Sequence, residues 1–65
     1  MRINGVDITP SGGLRTLKDL LEQEGYALDR IAVEKNGEIV PKSAYATTYL
    51  QESDSIEIVS FVGGG

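Results

Sequence analysis

The chain has 65 residues and a mass of 7.0 kDa, so it has room for one small domain. It contains no cysteine and no histidine, which excludes disulfides, the usual zinc ligand sets and imidazole- or thiolate-based catalysis. A net charge of −4 disfavours nucleic-acid binding, which needs a basic surface, and the ten scattered acidic residues form no calcium-loop motif.

The expected location follows from hydropathy and from the start of the chain. No apolar run approaches the ~20 residues that a membrane-spanning helix needs. Patterned sequence begins at Met1, so we expect no signal peptide. A cytoplasmic domain with no membrane partner is therefore the default expectation.

A β-hairpin is the first predicted element. Apolar and polar residues alternate on both sides of Asn4-Gly5, and Asn-Gly favours the two-residue type I′ turn because both central residues need a positive φ. Residues 10–13 read as a loop. We interpret Gly12-Gly13 as a connector, since no phosphate-loop motif surrounds it.

A short helix is predicted over residues 16–25. Leu17, Leu20 and Leu21 fall at i, i+3 and i+4, which places them on one helix face. Thr16 is the expected N-cap, with an acidic residue three positions later to complete a capping box. Gly25 fits the left-handed position that ends helices.

The second half of the chain predicts another hairpin and a final strand. Asn36-Gly37 joins the alternating residues 31–35 to residues 38–40, and we interpret both Asn-Gly pairs as turns and nothing more. Residues 43–51 are ambiguous and are compatible with a short helical turn under the sheet. Residues 55–62 are the most strand-like run. Core or partial burial, rather than a ligand-stacking platform, is expected for the three tyrosines: Tyr26, Tyr45 and Tyr49.

The order of elements predicts an α+β fold, the ubiquitin-like β-grasp. Its mixed sheet has four to five strands with one main helix on one face, and the first and last strands lie side by side and parallel in the middle. The domain is expected to span residues 1–62, followed by a flexible glycine tail at 63–65. The predicted core consists of Ile3, Leu17, Leu20, Leu21, Leu28, Ile31, Val33, Ile56 and Ile58.

Three stretches carry a resemblance to a known family: residues 36–41, the turn at Asp54, and residues 56–59 running into the terminal glycines. Together they resemble the ThiS family of sulfur carriers in thiamine biosynthesis. The resemblance extends over the whole chain. It implies that Gly65 is the covalent carrier site and that Gly64 completes the essential pair, with Gly63 an additional glycine that the family motif does not require.

The resemblance also implies a chemistry and a set of partners. A ThiF-type activating enzyme would use ATP with magnesium to adenylate the carboxylate of Gly65, and a sulfur donor protein would convert the adenylate to a thiocarboxylate. A ThiG-type thiazole synthase would accept the sulfur. The chain would be a carrier and co-substrate that binds no cofactor or metal itself. Glycine has no Cβ to clash, so Gly63 and Gly64 suit threading through a narrow channel to the nucleotide.

Two other functions stay open on the residues alone. One is a MoaD-like carrier, a carrier for tRNA thiolation or a protein modifier, and the other is a small β-grasp interaction module with an incidental tail. The final strand also predicts a docking surface, because alternate residues point to opposite faces of a sheet. If Ile58 meets the helix, then Val59 and Phe61 face away from it, and we expect these two and Val62 to contact the partners.

Overall fold

The computed structural model describes residues 1–9 and 15–61. Within these ranges the chain forms one mixed sheet of order β2-β1-β5-β3-β4, with a single α-helix and two short 3₁₀ helices. The strands are β1 (Arg2–Ile3), β2 (Val6–Asp7), β3 (Ile31–Lys35), β4 (Glu38–Val40) and β5 (Ser55–Ser60), and the helix is α1 (Leu17–Gln23). The 3₁₀ helices span Leu28–Arg30 and Lys42–Ala44.

The predicted capping features are present at both ends of α1. Thr16 Oγ1 accepts a hydrogen bond from the Asp19 amide at 3.2 Å, and Asp19 Oδ2 accepts one from the Thr16 amide at 3.4 Å. This reciprocal capping box satisfies two of the amides that the first turn leaves unpaired. At the other end Gly25 has φ +83°, and its amide donates back to the carbonyl of Glu22, which closes the helix.

The sheet has the predicted topology. β1 runs parallel to β5, with Ile3 beside Ile56, while β3 pairs antiparallel with both β5 and β4. Both hairpins turn at Asn-Gly: Asn4 and Asn36 have φ 50° and 53°, as type I′ turns require. The arrangement is the β-grasp expected from the sequence. The residue 62/63 domain boundary and the loop at residues 10–13 lie outside the described residues.

The hydrophobic core lies between α1 and one face of the sheet. Leu17, Leu21 and Ile56 are fully buried at its centre. Leu28 is only partly buried, because it sits in the 3₁₀ helix at the edge of the core rather than under the sheet. The other predicted core residues are buried, and Tyr45 and Leu50 join them.

The prediction that Tyr49 is at least partly buried is wrong, since its side chain is 73% exposed. The reason lies in the structure of residues 43–51, which the sequence left ambiguous. After the 3₁₀ helix this segment becomes extended: the Leu17 amide donates to the Thr48 carbonyl, and the Leu50 amide donates to the Arg15 carbonyl. Neighbouring residues of an extended chain point in opposite directions. Leu50 therefore enters the core while Tyr49, bridged to Thr16 by its backbone, points to solvent.

No helix in the described part of the chain is long and apolar enough to cross a membrane.

Candidate functional site

The predicted carrier site follows directly on the central strand of the sheet. β5 lies between β1 and β3, and its pairing with β3 continues to Phe61, whose amide donates to the Arg30 carbonyl at 2.7 Å. Phe61 is the last described residue before the terminus. Val62, Gly63, Gly64 and Gly65 lie outside the described residues, so their assigned roles stay predictions.

A side chain holds β5 on its β1 edge. β1 has only two residues, and its last backbone bond to β5 runs from the Asn4 amide to the Ile56 carbonyl at 2.9 Å. The Asn4 side chain makes the next two bonds to β5. Its Oδ1 accepts from the Ile58 backbone amide at 2.7 Å, and its Nδ2 donates to the Ile58 carbonyl at 3.2 Å. One amide side chain thus does what the next peptide group of β1 would have done.

A second asparagine holds the beginning of β5 from the other side. The Asn36 amide donates to the Ser55 carbonyl at 2.8 Å, and Asn36 Oδ1 accepts from the Ser55 amide at 2.9 Å. Its Nδ2 donates to Asp54 Oδ1 at 2.9 Å. The interpretation of the two Asn-Gly pairs as turns and nothing more is therefore wrong. The side chain of each asparagine also binds the backbone of β5.

Asp54 is the buried polar residue of the described chain, at 5% exposure. Besides Asn36, it accepts the Gln51 amide on Oδ2 at 2.7 Å, and Lys35 Nζ lies 3.9 Å from Oδ1. Burial of a carboxylate is costly unless hydrogen bonds replace water. Here they do, and the result is a hydrogen-bonded junction between the β3–β4 turn and the start of β5.

The sheet face opposite α1 carries the described part of the predicted docking surface. Val59 is 61% exposed and Phe61 is 56% exposed, which confirms that they face away from the core. Ala32 lies beside Val59 on the neighbouring strand. Ile39, 77% exposed, shares this face through its pairing with Glu34. The alternating pattern alone does not place Ile39 there, because its side of the sheet depends on the β3–β4 register.

The same face carries an unfavourable charge pair. Glu34 and Glu57 lie directly opposite each other on β3 and β5, and both are exposed. Like charges in this position repel across the sheet. An acidic surface beside Val59 and Phe61 favours a basic partner.

Other kinds of site find little support in the part of the chain that is described. No group of three or more acidic residues there is arranged to hold a metal ion. A shallow cavity of about 230 Å³ opens beside Met1 and Asp54. It lies at the start of β5, at the opposite end of the strand from Phe61.

Comparisons with known proteins agree with this geometry. The model of the ThiS family matches residues 1–65. The sulfur carrier protein ThiS of Bacillus subtilis is 38% identical over 65 residues, which cover all of this chain and 98% of that protein. The crystal structure of the thiamine biosynthesis protein ThiS from Geobacter metallireducens superposes with a TM-score of 0.82 at 29% identity, covering 98% of this chain and 96% of that one.

Two longer proteins are also similar. The thiazole synthase of Paramagnetospirillum magneticum is 44% identical over 63 residues, which are 97% of this chain and 19% of that protein. The thiazole synthase of Magnetococcus marinus is 40% identical over 65 residues, all of this chain and 20% of that protein. This chain thus spans about a fifth of the length of those synthases. With a family model that matches residues 1–65, the chain belongs to the ThiS family.

Proposed function

We propose that this chain carries sulfur as a thiocarboxylate on Gly65. An α-carboxylate has a pKa of about 3.5 and is ionised at neutral pH, so it is a poor electrophile. Attack of a carboxylate oxygen on the α-phosphorus of ATP would release pyrophosphate and form an acyl-adenylate. A persulfide sulfur of the donor protein would then displace AMP to form an acyl disulfide. A second thiol of the donor would attack the S–S bond, which releases the thiocarboxylate and leaves a disulfide on the donor.

The main support for the proposal is that β5, in a chain of the ThiS family, is hydrogen-bonded on both edges shortly before the terminal glycines. The strand is held on both edges by Asn4 and by β3, and only Phe61 and Val62 separate it in sequence from the three glycines at 63–65. From Phe61 to Gly65 the chain spans at most about 14 Å, at ~3.3–3.6 Å per residue. A held strand followed by residues without Cβ atoms suits delivery of a terminus into a deep catalytic centre.

Two partner enzymes follow from this chemistry. A ThiF-type activating enzyme would perform the adenylation with ATP and magnesium, and a ThiG-type thiazole synthase would take up the sulfur. The likeness of this chain to about a fifth of two proteins named thiazole synthase supports the second partner. A sulfur donor protein completes the set, and the chain itself is a co-substrate rather than the catalyst.

The docking surface is proposed to be Val59, Phe61 and Val62. The first two are exposed on the face away from the core, and Phe61 lies four residues before Gly65. Any enzyme that surrounds the terminus must therefore come close to Phe61. Since both partners need the same terminus, they should compete for this one surface.

The decisive experiment is intact mass spectrometry after incubation with ATP and magnesium, a ThiF-type enzyme and a sulfur donor. We expect a single oxygen-for-sulfur exchange at the terminus, and we expect deletion of Gly65 to abolish it while the melting temperature stays unchanged. If the shortened chain gains sulfur at a comparable rate, the assignment of Gly65 is wrong. Transfer from the loaded carrier to a thiazole synthase, but not to a molybdopterin-forming enzyme, separates this function from that of a MoaD-like carrier.

Glycine itself can be tested at the penultimate position. Gly64→Val introduces a β-branched side chain that restricts the backbone and widens the terminus. We expect ATP–pyrophosphate exchange by the activating enzyme to slow strongly. Exchange at the wild-type rate would contradict a narrow channel around the terminus.

A further inference from the structure

Alternate residues of β5 direct their backbone N–H and C=O groups toward opposite neighbouring strands. The groups of the odd-numbered residues point toward β3, as the bonds of Ser55 with Asn36 and of Phe61 with Arg30 show. The backbone groups of the even-numbered residues point toward β1. Asp54 and Ile56 use their carbonyls to accept backbone amides of the first strand and its turn, and Ile58 is bound by the Asn4 side chain. Ser60 is next in this second series.

Ser60 faces an edge that β1 has already left. The first strand ends at Ile3, and the turn at Asn4 and Gly5, with φ 50° and 82°, takes the chain away into β2. The Asn4 side chain reaches Ile58 and no further. Among residues 1–9 and 15–61 no group pairs with the N–H or C=O of Ser60, which is itself exposed.

This open edge lies where a partner enzyme must approach, if the proposed carrier function is right. Ser60 precedes Gly65 by five residues, so it lies at most about 18 Å from the terminus even in a fully extended chain. Peptide groups that are enclosed by protein cost free energy unless they are hydrogen-bonded. An enzyme that encloses this terminus therefore has to supply partners for the backbone next to it, and a strand is the simplest source.

We propose that the β1-side edge of β5 at Ser60 is a β-strand addition site for an extended segment of the thiazole synthase partner. The segment would accept the Ser60 N–H and donate to its C=O, and so continue the row of bonds that Asn4 ends at Ile58. Val59 and Phe61 lie in the same stretch, so backbone pairing at the edge and apolar contact on the face belong to one continuous interface. The synthase is the chosen occupant because this chain resembles a fifth of two such enzymes.

Proline at this position removes the proposed bond and spares the fold. Ser60 makes no backbone bond to β3, so Ser60→Pro deletes only an N–H that faces the open edge, a position where strands tolerate proline. Ser60→Ala is the matched variant, since it loses the hydroxyl but keeps the N–H. We expect the dissociation constant for the synthase to rise about tenfold with Ser60→Pro and to stay near the wild-type value with Ser60→Ala.

Hydrogen exchange on the wild-type carrier gives a measurement that needs no variant to fold. On binding the synthase, exchange of the Ser60 amide should slow at least as strongly as that of any amide in β5, while the Val59 amide, already bonded to β3, should change little. Unchanged Ser60 exchange in the complex, or slowing only with the activating enzyme, would overturn the proposal. A folded Ser60→Pro variant that binds and delivers sulfur like wild type would overturn it too, and would leave the carrier function intact. Failure of wild type to gain sulfur at all would instead refute the carrier function.

Discussion

Replacing Asp54 by alanine tests whether the junction at the start of β5 stabilises the whole domain. The carboxylate accepts two hydrogen bonds, from the Gln51 amide at 2.7 Å and from Asn36 Nδ2 at 2.9 Å, with Lys35 Nζ 3.9 Å away. Alanine leaves both donors without their acceptor. It also removes the group that ties the β3–β4 turn to β5.

The magnitude follows from these contacts. A hydrogen bond to a charged group contributes about 1.5–3 kcal/mol, so two set an upper range of about 3–6 kcal/mol. Gln51 and Asn36 are exposed residues whose donors regain some water, and we therefore expect a loss of about 2–4 kcal/mol in the free energy of unfolding. The free energy of unfolding of a 65-residue domain is roughly 3–10 kcal/mol in total, so the variant should be barely stable.

Urea unfolding followed by circular dichroism measures this loss. Glu52→Ala, two residues away and exposed, is the control and should change the free energy of unfolding by less than about 0.5 kcal/mol. Asn36→Gly keeps a residue that accepts positive φ but removes the side chain, so a double-mutant cycle with Asp54→Ala isolates the bond between the two. A loss below about 1 kcal/mol for Asp54→Ala, or additive effects in the cycle, would refute the reasoning.

Three further changes probe other regions. Burial raises the pKa of Tyr45 above its usual 10.0, so the folded state keeps a proton that the unfolded state has lost, and stability should fall as the pH rises above about 10. Tyr45→Phe should remove this part of the alkaline loss in urea titrations, and an unchanged loss would assign it to other groups. Glu57→Gln relieves the repulsion from Glu34 and should raise the free energy of unfolding by about 0.2–1 kcal/mol, and by less in high salt; a decrease at low salt would contradict this. Phe61→Ala should weaken binding to both partner enzymes by about 1–3 kcal/mol in calorimetry with a nearly unchanged melting temperature. If it unfolds the domain and leaves the affinity of the folded fraction intact, the docking surface lies elsewhere.

The sequence predicted those elements whose causes are local. Positive φ at Asn4 and Asn36 is a preference of the Asn-Gly dipeptide itself, and the capping box at Thr16 involves residues three positions apart. Helix and strand periodicities placed most of the core for the same reason. These patterns act within a few residues and are readable without knowing what packs where.

What the sequence could not predict depends on contacts between distant residues. The Asn4 side chain binds Ile58, 54 positions away, and Asn36 binds Asp54, 18 positions away. Such bonds depend on strand register, which a pattern of alternating residues does not fix across the sheet. The orientation of Tyr49 has the same origin, since it follows from pairing with residues beside Thr16.

The shortness of β1 links the stability of the domain to its proposed use. A longer first strand would pair with β5 beyond Ile58 and would occupy the edge at Ser60. With two residues, β1 leaves that edge open but also leaves Ile58 in need of a partner. Asparagine at position 4 meets both demands, because it accepts the left-handed backbone of the turn and carries one donor and one acceptor. Aspartate would lack the donor and glycine would lack both, so replacing Asn4 by either residue would leave at least one backbone group of Ile58 without its partner.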